Sequence, residues 1–157
     1  MDYTIRRLKP AEVGILDTFL YEAIFIPEGV DAPPKEIIAQ PELQVYVRDF
    51  GRRDGDLCFV AESGGQVIAA CWVRFMHDYG YVDDKTPSLA ISVLKDHRRC
   101  GIGTKLMKRM LEELKRRGCR QTSLSVQKAN YAVRMYQRVG YEIIAEHEDE
   151  YIMLCRL

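Results

Sequence analysis

The densest chemistry in this 157-residue chain lies between Leu89 and Thr104. A short apolar run, Leu89 to Leu94, leads into Lys95-Asp-His-Arg98-Arg99-Cys-Gly101-Ile102-Gly103-Thr104, and a helical pattern follows. A helix N-terminus carries unpaired backbone N–H groups and the positive end of the helix dipole, and glycines at 101 and 103 let a phosphate approach that backbone closely. Arg98, Arg99 and Lys105 add cations at the end of the helix where they oppose its dipole, so they call for a bound anion. A pyrophosphate meets that need. The same residues also fit a strand-to-helix turn tightened by glycine with solvated basic side chains, and Gly-x-Gly alone does not choose between the two. Spacing excludes two other nucleotide sites. A Walker loop needs Gly-Lys-Ser/Thr after four intervening residues, and the dinucleotide fingerprint needs a third glycine where Leu106 stands. Neither ATP nor NAD is expected.

The elements around this segment follow from periodicity. Tyr3 to Leu8 alternates as an opening strand, and Pro10 starts a helix with Val13, Leu16, Phe19, Leu20 and Ile24 on one face. A second, shorter helical stretch runs from about Lys35 or Pro41 to Phe50, and Gly51 to Asp56 reads as loop. Leu57 to Glu62 and Gln66 to Met76, separated by Ser63-Gly64-Gly65, form an antiparallel hairpin. His77 to Thr86 is a polar, Tyr-rich connection to the strand Leu89 to Leu94. After Gly101 a helix carries the stripe Leu106, Met107, Met110, Leu111 and Leu114, with Glu112–Arg116 and Glu113–Arg117 as i,i+4 pairs and Gly118 as its stop. Gln121 to Val126 is a strand, Asn130 to Val139 a helix stopped at Gly140, and Tyr141 to Ala145 with Tyr151 to Arg156 a closing pair of strands. The order β-α-α-β-β-β-α-β-α-β-β describes a mixed α/β fold, expected to form one domain over residues 1–157.

Composition narrows the partners. With 47% hydrophobic residues the chain can bury a core, and 23 basic residues balance 23 acidic ones, so no global field draws nucleic acid or an anionic membrane. Neither is expected as a partner. The longest apolar stretch, Val67 to Val73, is far short of the roughly 20 residues of a membrane span. No secretory signal is read at the start, and the five cysteines are odd in number without a C-x-x-C pair, so a cytoplasmic protein with reduced thiols is expected. His77, His97 and His147 have no metal-ligand spacing, and no metal is expected. Charge is nevertheless uneven: Met1 to Glu62 carries twelve acidic and seven basic residues, whereas Lys95 to Arg120 carries ten basic residues against Asp96, Glu112 and Glu113.

At this point the sequence resembles a known family. Arg98-Arg99-Cys100-Gly101-Ile102-Gly103 is similar to the Arg/Gln-x-x-Gly-x-Gly/Ala motif of the GNAT-type N-acetyltransferases, and the element order matches theirs. Asn130-Tyr-Ala-Val-Arg-Met-Tyr136-Gln-Arg-Val-Gly140-Tyr141 resembles the family's Asn-x-x-Ala-x-x-x-Tyr-x-x-x-Gly-Phe signature, with Ala132 one place early and Tyr141 in place of Phe. The resemblance implies that acetyl-CoA is the cosubstrate, with its pyrophosphate on Arg98, Arg99, Gly101, Ile102, Gly103 and Thr104. It further implies that the pantetheine runs beside Ile91 and Val93, where one backbone N–H polarises the thioester carbonyl. Asn130 is either a helix N-cap or a pantetheine contact, or both. Tyr136 would protonate the leaving sulfur; its own pattern, with Val133 and Val139, equally suits a packed aromatic.

The chain departs from the family at the general base. Many relatives carry a glutamate four or five residues before the valine matching Val93, and here those places are Leu89 and Ser88. Asp83 or Asp84, an acidic residue of the first helices such as Glu22, or a chain of waters remain as routes for the proton that an ammonium, with a pKa of about 10, must lose. The expected acceptor is the primary amine of a small molecule or peptide, attacking directly in a ternary complex. The acidic first half, with Asp78, Asp83 and Asp84, would attract such a cation, and Tyr21, Phe25, Trp72, Tyr79 and Tyr81 are candidates for its apolar walls. A catalytically silent CoA-binding regulatory module is the alternative, and a monomer and a homodimer are both compatible with the sequence.

Overall fold

Leu57–Ala61 and Ile68–Arg74 are buried without a break, the mark of strands covered on both faces. The computed structural model, which describes residues 2–157, shows how they are covered. The strands are β1 (Thr4–Arg7), β2 (Leu57–Ser63), β3 (Gln66–Arg74), β4 (Ser88–Val93), β5 (Gln121–Gln127), β6 (Tyr141–Glu146) and β7 (Glu150–Arg156). They form a seven-stranded sheet in the order β1-β2-β3-β4-β5-β7-β6. Every neighbouring pair is antiparallel except β4 and β5, which are parallel.

One face of the sheet is covered by α3 (Ile102–Arg116) and α4 (Ala132–Val139), the other by α1 (Leu16–Glu22) and the segment after α2 (Pro41–Gln44). The stripe Leu106, Met107, Met110, Leu111 and Leu114 of α3 is buried as its spacing requires, and Ile102 extends it. On the opposite face Leu16, Phe19 and Leu20 of α1 meet Tyr46, Val47, Phe50 and the inner side chains of β2 and β3. The element order is the one expected from periodicity.

Three expectations need correction. The first helix is not continuous: Pro10–Ile15 is a 3-10 turn, α1 stops at Glu22, Val13 is 37% exposed, and Ile24 lies past the helix end. Glu12 is drawn back to the Lys9 amide at 2.8 Å and to the Arg6 guanidinium at 2.8 Å, which tightens that turn and leaves Val13 facing water. The second helical stretch is also broken. Lys35–Ala39 is a 3-10 turn and Gln40 is extended (ψ 140°), as the residue before Pro41 prefers. On α3, Arg116 pairs with Glu113 three residues back and not with Glu112, because Glu113 also receives Arg117 Nε at 2.8 Å and is almost fully buried. These guanidinium hydrogen bonds hold the Glu113 carboxyl down to about 2.

The segment behind α2 is tied to the sheet by one buried ion pair. Arg74 is 0% exposed; its Nε and Nη2 reach Asp56 Oδ1 and Oδ2, each at 3.0 Å, and its Nη1 reaches the Val45 carbonyl at 3.1 Å. Removing one partner leaves a buried charge uncompensated. Asp56→Ala should therefore lower the unfolding free energy in urea by about 3–5 kcal/mol. A loss below about 1 kcal/mol would show that the pair carries no weight.

Candidate active site

The central geometric fact is a split in the sheet. β4 pairs with β3 along its length, from Arg74↔Ser88 to Ala69↔Val93, but meets β5 at Ser88↔Ser123 alone. Beyond that point the two parallel strands diverge. The Ser123 amide donates to the Pro87 carbonyl at 3.0 Å, and the Leu94 amide donates to Ile68 of β3 at 2.9 Å. Backbone groups alternate in direction along a strand, so those of Ile91 and Val93 are turned away from β3 and toward the opening. The Val93 carbonyl is taken by Arg98 Nε at 2.8 Å, which leaves Ile91 and the Val93 amide on an unpaired strand edge.

The split opens a cleft of about 390 Å³, within the range of small-molecule sites. Leu89, Ala90 and Ile91 line one side, Leu124, Ser125, Val126 and Gln127 the other, and Tyr136 and Asn130 close it from α4 and its approach. Leu20, Ile24, Phe25, Leu43, Tyr46 and Tyr79 line it from the α1 side, and Glu150 is the only carboxylate among its described lining residues. A broader hollow of about 550 Å³ beside Tyr3, Ile5 and Lys105 opens to solvent and gathers no catalytic set.

The turn into α3 abuts this cleft. Arg99 (φ 64°) and Gly101 (φ 80°) are both left-handed, no side chain caps α3, and its first backbone bond is donated by Lys105 to Gly101 at 3.2 Å. The amides of Ile102, Gly103 and Thr104 precede that bond, so they are the free N–H groups of a helix start. The Ile102 side chain is buried in the core, and only its backbone faces the turn. At Gly103 an added Cβ would sit 3.2 Å from Met135 Sδ and 3.9 Å from Ile91 Cδ1, so this glycine lets α3 close onto α4 and the strand edge.

The two arginines do different things. Arg98 turns inward, donating to the Val93 carbonyl and, at 3.3 Å each, to the carbonyl and carboxylate of Glu22. It clamps the turn to β4 and to the end of α1. Arg99 is exposed over the Tyr131 ring at 5.4 Å, and Lys105 is exposed over Tyr3 at 5.7 Å, so both leave a cation at the turn. Asn130 Oδ1 accepts the Ala132 amide at 2.9 Å and caps the first turn of α4 while its side also lines the cleft.

Tyr136 is 8% exposed and reaches the cleft from the buried side of α4, its ring 6.1 Å from that of Tyr141. Burial raises its pKa above the usual phenol value, so it is fully protonated at neutral pH. The other carboxylates named as proton acceptors sit elsewhere. Asp83 accepts from the Thr86 hydroxyl and the Lys85 amide, Asp84 is exposed against His77 and Tyr81, and Glu22 pairs with Arg98; none lines the cleft. Of the aromatic wall candidates, Phe25 and Tyr79 line the cleft. Tyr21 is held by the Pro33 carbonyl, Trp72 is 0% exposed and donates to the Tyr46 carbonyl at 3.0 Å, and Tyr81 is stacked on His77. Tyr46, Ser125 and Glu150 entered the site without any signal in sequence spacing, because they lie on three segments that only the fold brings together.

The Acetyltransferase (GNAT) family matches residues 22–141. The chain belongs to this family. Among proteins similar to this GNAT chain is Acetyltransferase SG1711 of Sodalis glossinidius (strain morsitans), 33% identical over 91 residues, which span 57% of this chain and 60% of that relative. The matched part is thus about three-fifths of the relative's length. The fold is shared with the PaiA N-acetyltransferase of Thermoplasma acidophilum, solved in complex with coenzyme A (TM-score 0.73, 17% identity, all of both chains). It is shared as well with a ribosomal-protein-alanine N-acetyltransferase of Brucella melitensis (TM-score 0.69, 21% identity, 98% of this chain and 99% of that one). The described residues of this GNAT chain contain no group of three His, Cys, Asp or Glu able to hold a metal ion, and no helix long and apolar enough to cross a membrane.

Proposed function

We propose that residues 1–157 act as one acetyltransferase domain that moves the acetyl group of acetyl-CoA to the primary amine of a small molecule or peptide, both substrates being bound at once. The observation that carries this reading is the unpaired edge of β4 running from the uncapped start of α3 to the Tyr136 phenol. Coenzyme A needs those three features in that order: an anion cradle for its pyrophosphate, peptide-like partners for its amide-bearing arm, and a proton for its sulfur. The free amides of residues 102–104, with Arg99 and Lys105 beside them, suit the pyrophosphate. Ile91 and the Val93 amide suit the arm, and a backbone N–H directed at the thioester carbonyl lowers the cost of the negative charge that develops there. Arg98 supports the turn from behind.

When the amine attacks, the carbon–sulfur bond breaks and the sulfur leaves as a thiolate. Tyr136 gives that sulfur its proton, and the phenolate regains one as the cationic nitrogen of the new carbon–nitrogen bond loses its extra proton to become an amide, so the phenol is unchanged over the cycle. Phe25 and Tyr79 supply apolar walls on the acceptor side, and the Glu150 carboxylate attracts a cationic amine to the cleft mouth. The described cysteines are free, which suits a reducing compartment such as the cytoplasm.

The test is free CoA release from acetyl-CoA with a panel of alkyl diamines, amino acids and a peptide beginning with alanine, followed by mass spectrometry of the product. The expected product gains one acetyl group on nitrogen, and Glu150→Gln should raise KM for a cationic acceptor more than for a neutral one. Tight CoA binding with no release from any amine would leave a silent CoA-binding module; acetylation of hydroxyl or anionic acceptors would remove the amine reading.

A further inference from the structure

The acetyl-transfer reading gives the β4 edge, the turn into α3 and Tyr136 to coenzyme A, which leaves the α1 side of the cleft to the acceptor. That side is apolar. Ile24 and Phe25 follow the end of α1, Leu43 comes from α2, and Tyr79 from the connection between β3 and β4. Ile24, Phe25 and Leu43 are only half-buried and Tyr79 is 51% exposed, so together they keep apolar surface in water that a bound molecule would cover. Charge in the cleft is confined to one group. No Lys, Arg or His lines it among the described residues, and Glu150 is its single carboxylate. Glu150 stands beside Gln127 in the β5–β7 ladder, beyond the Ser88↔Ser123 bridge where the split opens. It is half-buried and enters no ion pair among the described residues, unlike Glu22, which Arg98 holds at 3.3 Å.

Building on the acetyl-transfer reading, we infer that the acceptor is a monoamine with an apolar aryl or alkyl body and no carboxylate. Its ammonium is drawn to Glu150, and its body lies against Phe25, Leu43 and Tyr79. An α-amino acid does not fit, because its carboxylate sits one carbon from the reacting nitrogen and cannot stay in solvent while that nitrogen enters the cleft. It would be held near Glu150 with no cation to offset it. A diamine or polyamine fits poorly for the converse reason. Its second ammonium would leave water for an apolar wall that offers no second carboxylate. An uncharged apolar body meets neither penalty and gains by leaving water.

The test measures kcat/KM of the wild-type chain for acceptors matched in pairs. Phenethylamine should exceed ethylamine by about 10- to 100-fold, the gain from its apolar body. Phenylalanine, which adds only a carboxylate to phenethylamine, should fall about 10²-fold or more below it. Diaminobutane should fall about tenfold or more below butylamine. Ala23 closes the C-terminal end of α1, is exposed and lines the cleft, so Ala23→Lys places a cation on the acceptor wall without entering the core. That variant should keep wild-type circular dichroism and CoA affinity, and should move the ratio of phenylalanine to phenethylamine turnover toward phenylalanine by about three- to tenfold. If it does not fold, the matched acceptors on wild type decide. Phenylalanine or diaminobutane used as well as its matched monoamine overturns the assignment and leaves acetyl transfer standing. A ratio unmoved in folded Ala23→Lys overturns it as well, since the acceptor then does not lie along this wall. No CoA release from wild type with any amine overturns the acetyl-transfer reading itself, and the acceptor class with it.

Discussion

Tyr136→Phe should lower turnover by about 10²- to 10⁴-fold, the usual contribution of a general acid, while acetyl-CoA binds as before. Only the departing sulfur requires the phenolic proton, so the hydroxyl acts in the transition state and not in ground-state binding. The substitution is conservative in packing: the ring of Tyr136 sits in the α3 and α4 cluster and its tilted contact with Tyr141 does not use the hydroxyl. Stability should change little, and kcat should fall with KM for acetyl-CoA nearly constant. The measurement is pre-steady-state CoA release, so that the chemical step is observed and not product dissociation. A variant with full single-turnover rate would reduce Tyr136 to a packed aromatic.

Gly101→Val should weaken acetyl-CoA binding by about two orders of magnitude or more, since charge-assisted backbone hydrogen bonds contribute about 1.5–3 kcal/mol each. Gly101 has φ 80° with no neighbour within 4 Å of an added Cβ, so a valine there projects into the open space before the α3 amides. Left-handed backbone costs a substituted residue about 1–2 kcal/mol, which a domain of ordinary stability survives. Gly118→Val is the matching control. It has φ 84°, is equally open, and lies at the other end of α3, so it meets the same backbone strain far from the cradle. Calorimetry with acetyl-CoA should find binding lost in the first variant and kept in the second. Equal affinities in both would remove the anion cradle from this turn. Gly103→Val acts by another route, pressing on Met135 and Ile91, and should open the α3–α4 contact as well as weaken binding.

What was legible in the sequence is what is local in it. The turn from Arg98 to Thr104, the α3 stripe and the β2–β3 hairpin each depend on residues within about a dozen positions, where period and turn chemistry act directly. The helix of Tyr136 was legible for the same reason: Ala132, Tyr136 and Gly140 keep regular helical spacing, and Asn130 caps the Ala132 amide. The first helix breaks where a group from another element intervenes, since Arg6, itself bound to Glu62, holds Glu12 and shapes the 3-10 turn. Missing carboxylates at Ser88 and Leu89 signalled that a base must come from elsewhere, but not from where.

Only the tertiary structure decided the rest. Whether Arg98 faces a ligand or Glu22, whether Trp72 lines the cleft or the core, and that Tyr46 and Ser125 come to line one cleft while Asp78 meets Ser88 all depend on how separate segments pack, with contacts between residues up to 76 positions apart. The physical reason is the split between β4 and β5. Residue types along each strand specify burial and alternation, whereas the divergence of two parallel strands after a single bridge arises from how α1, α3 and α4 pack on opposite faces of the sheet.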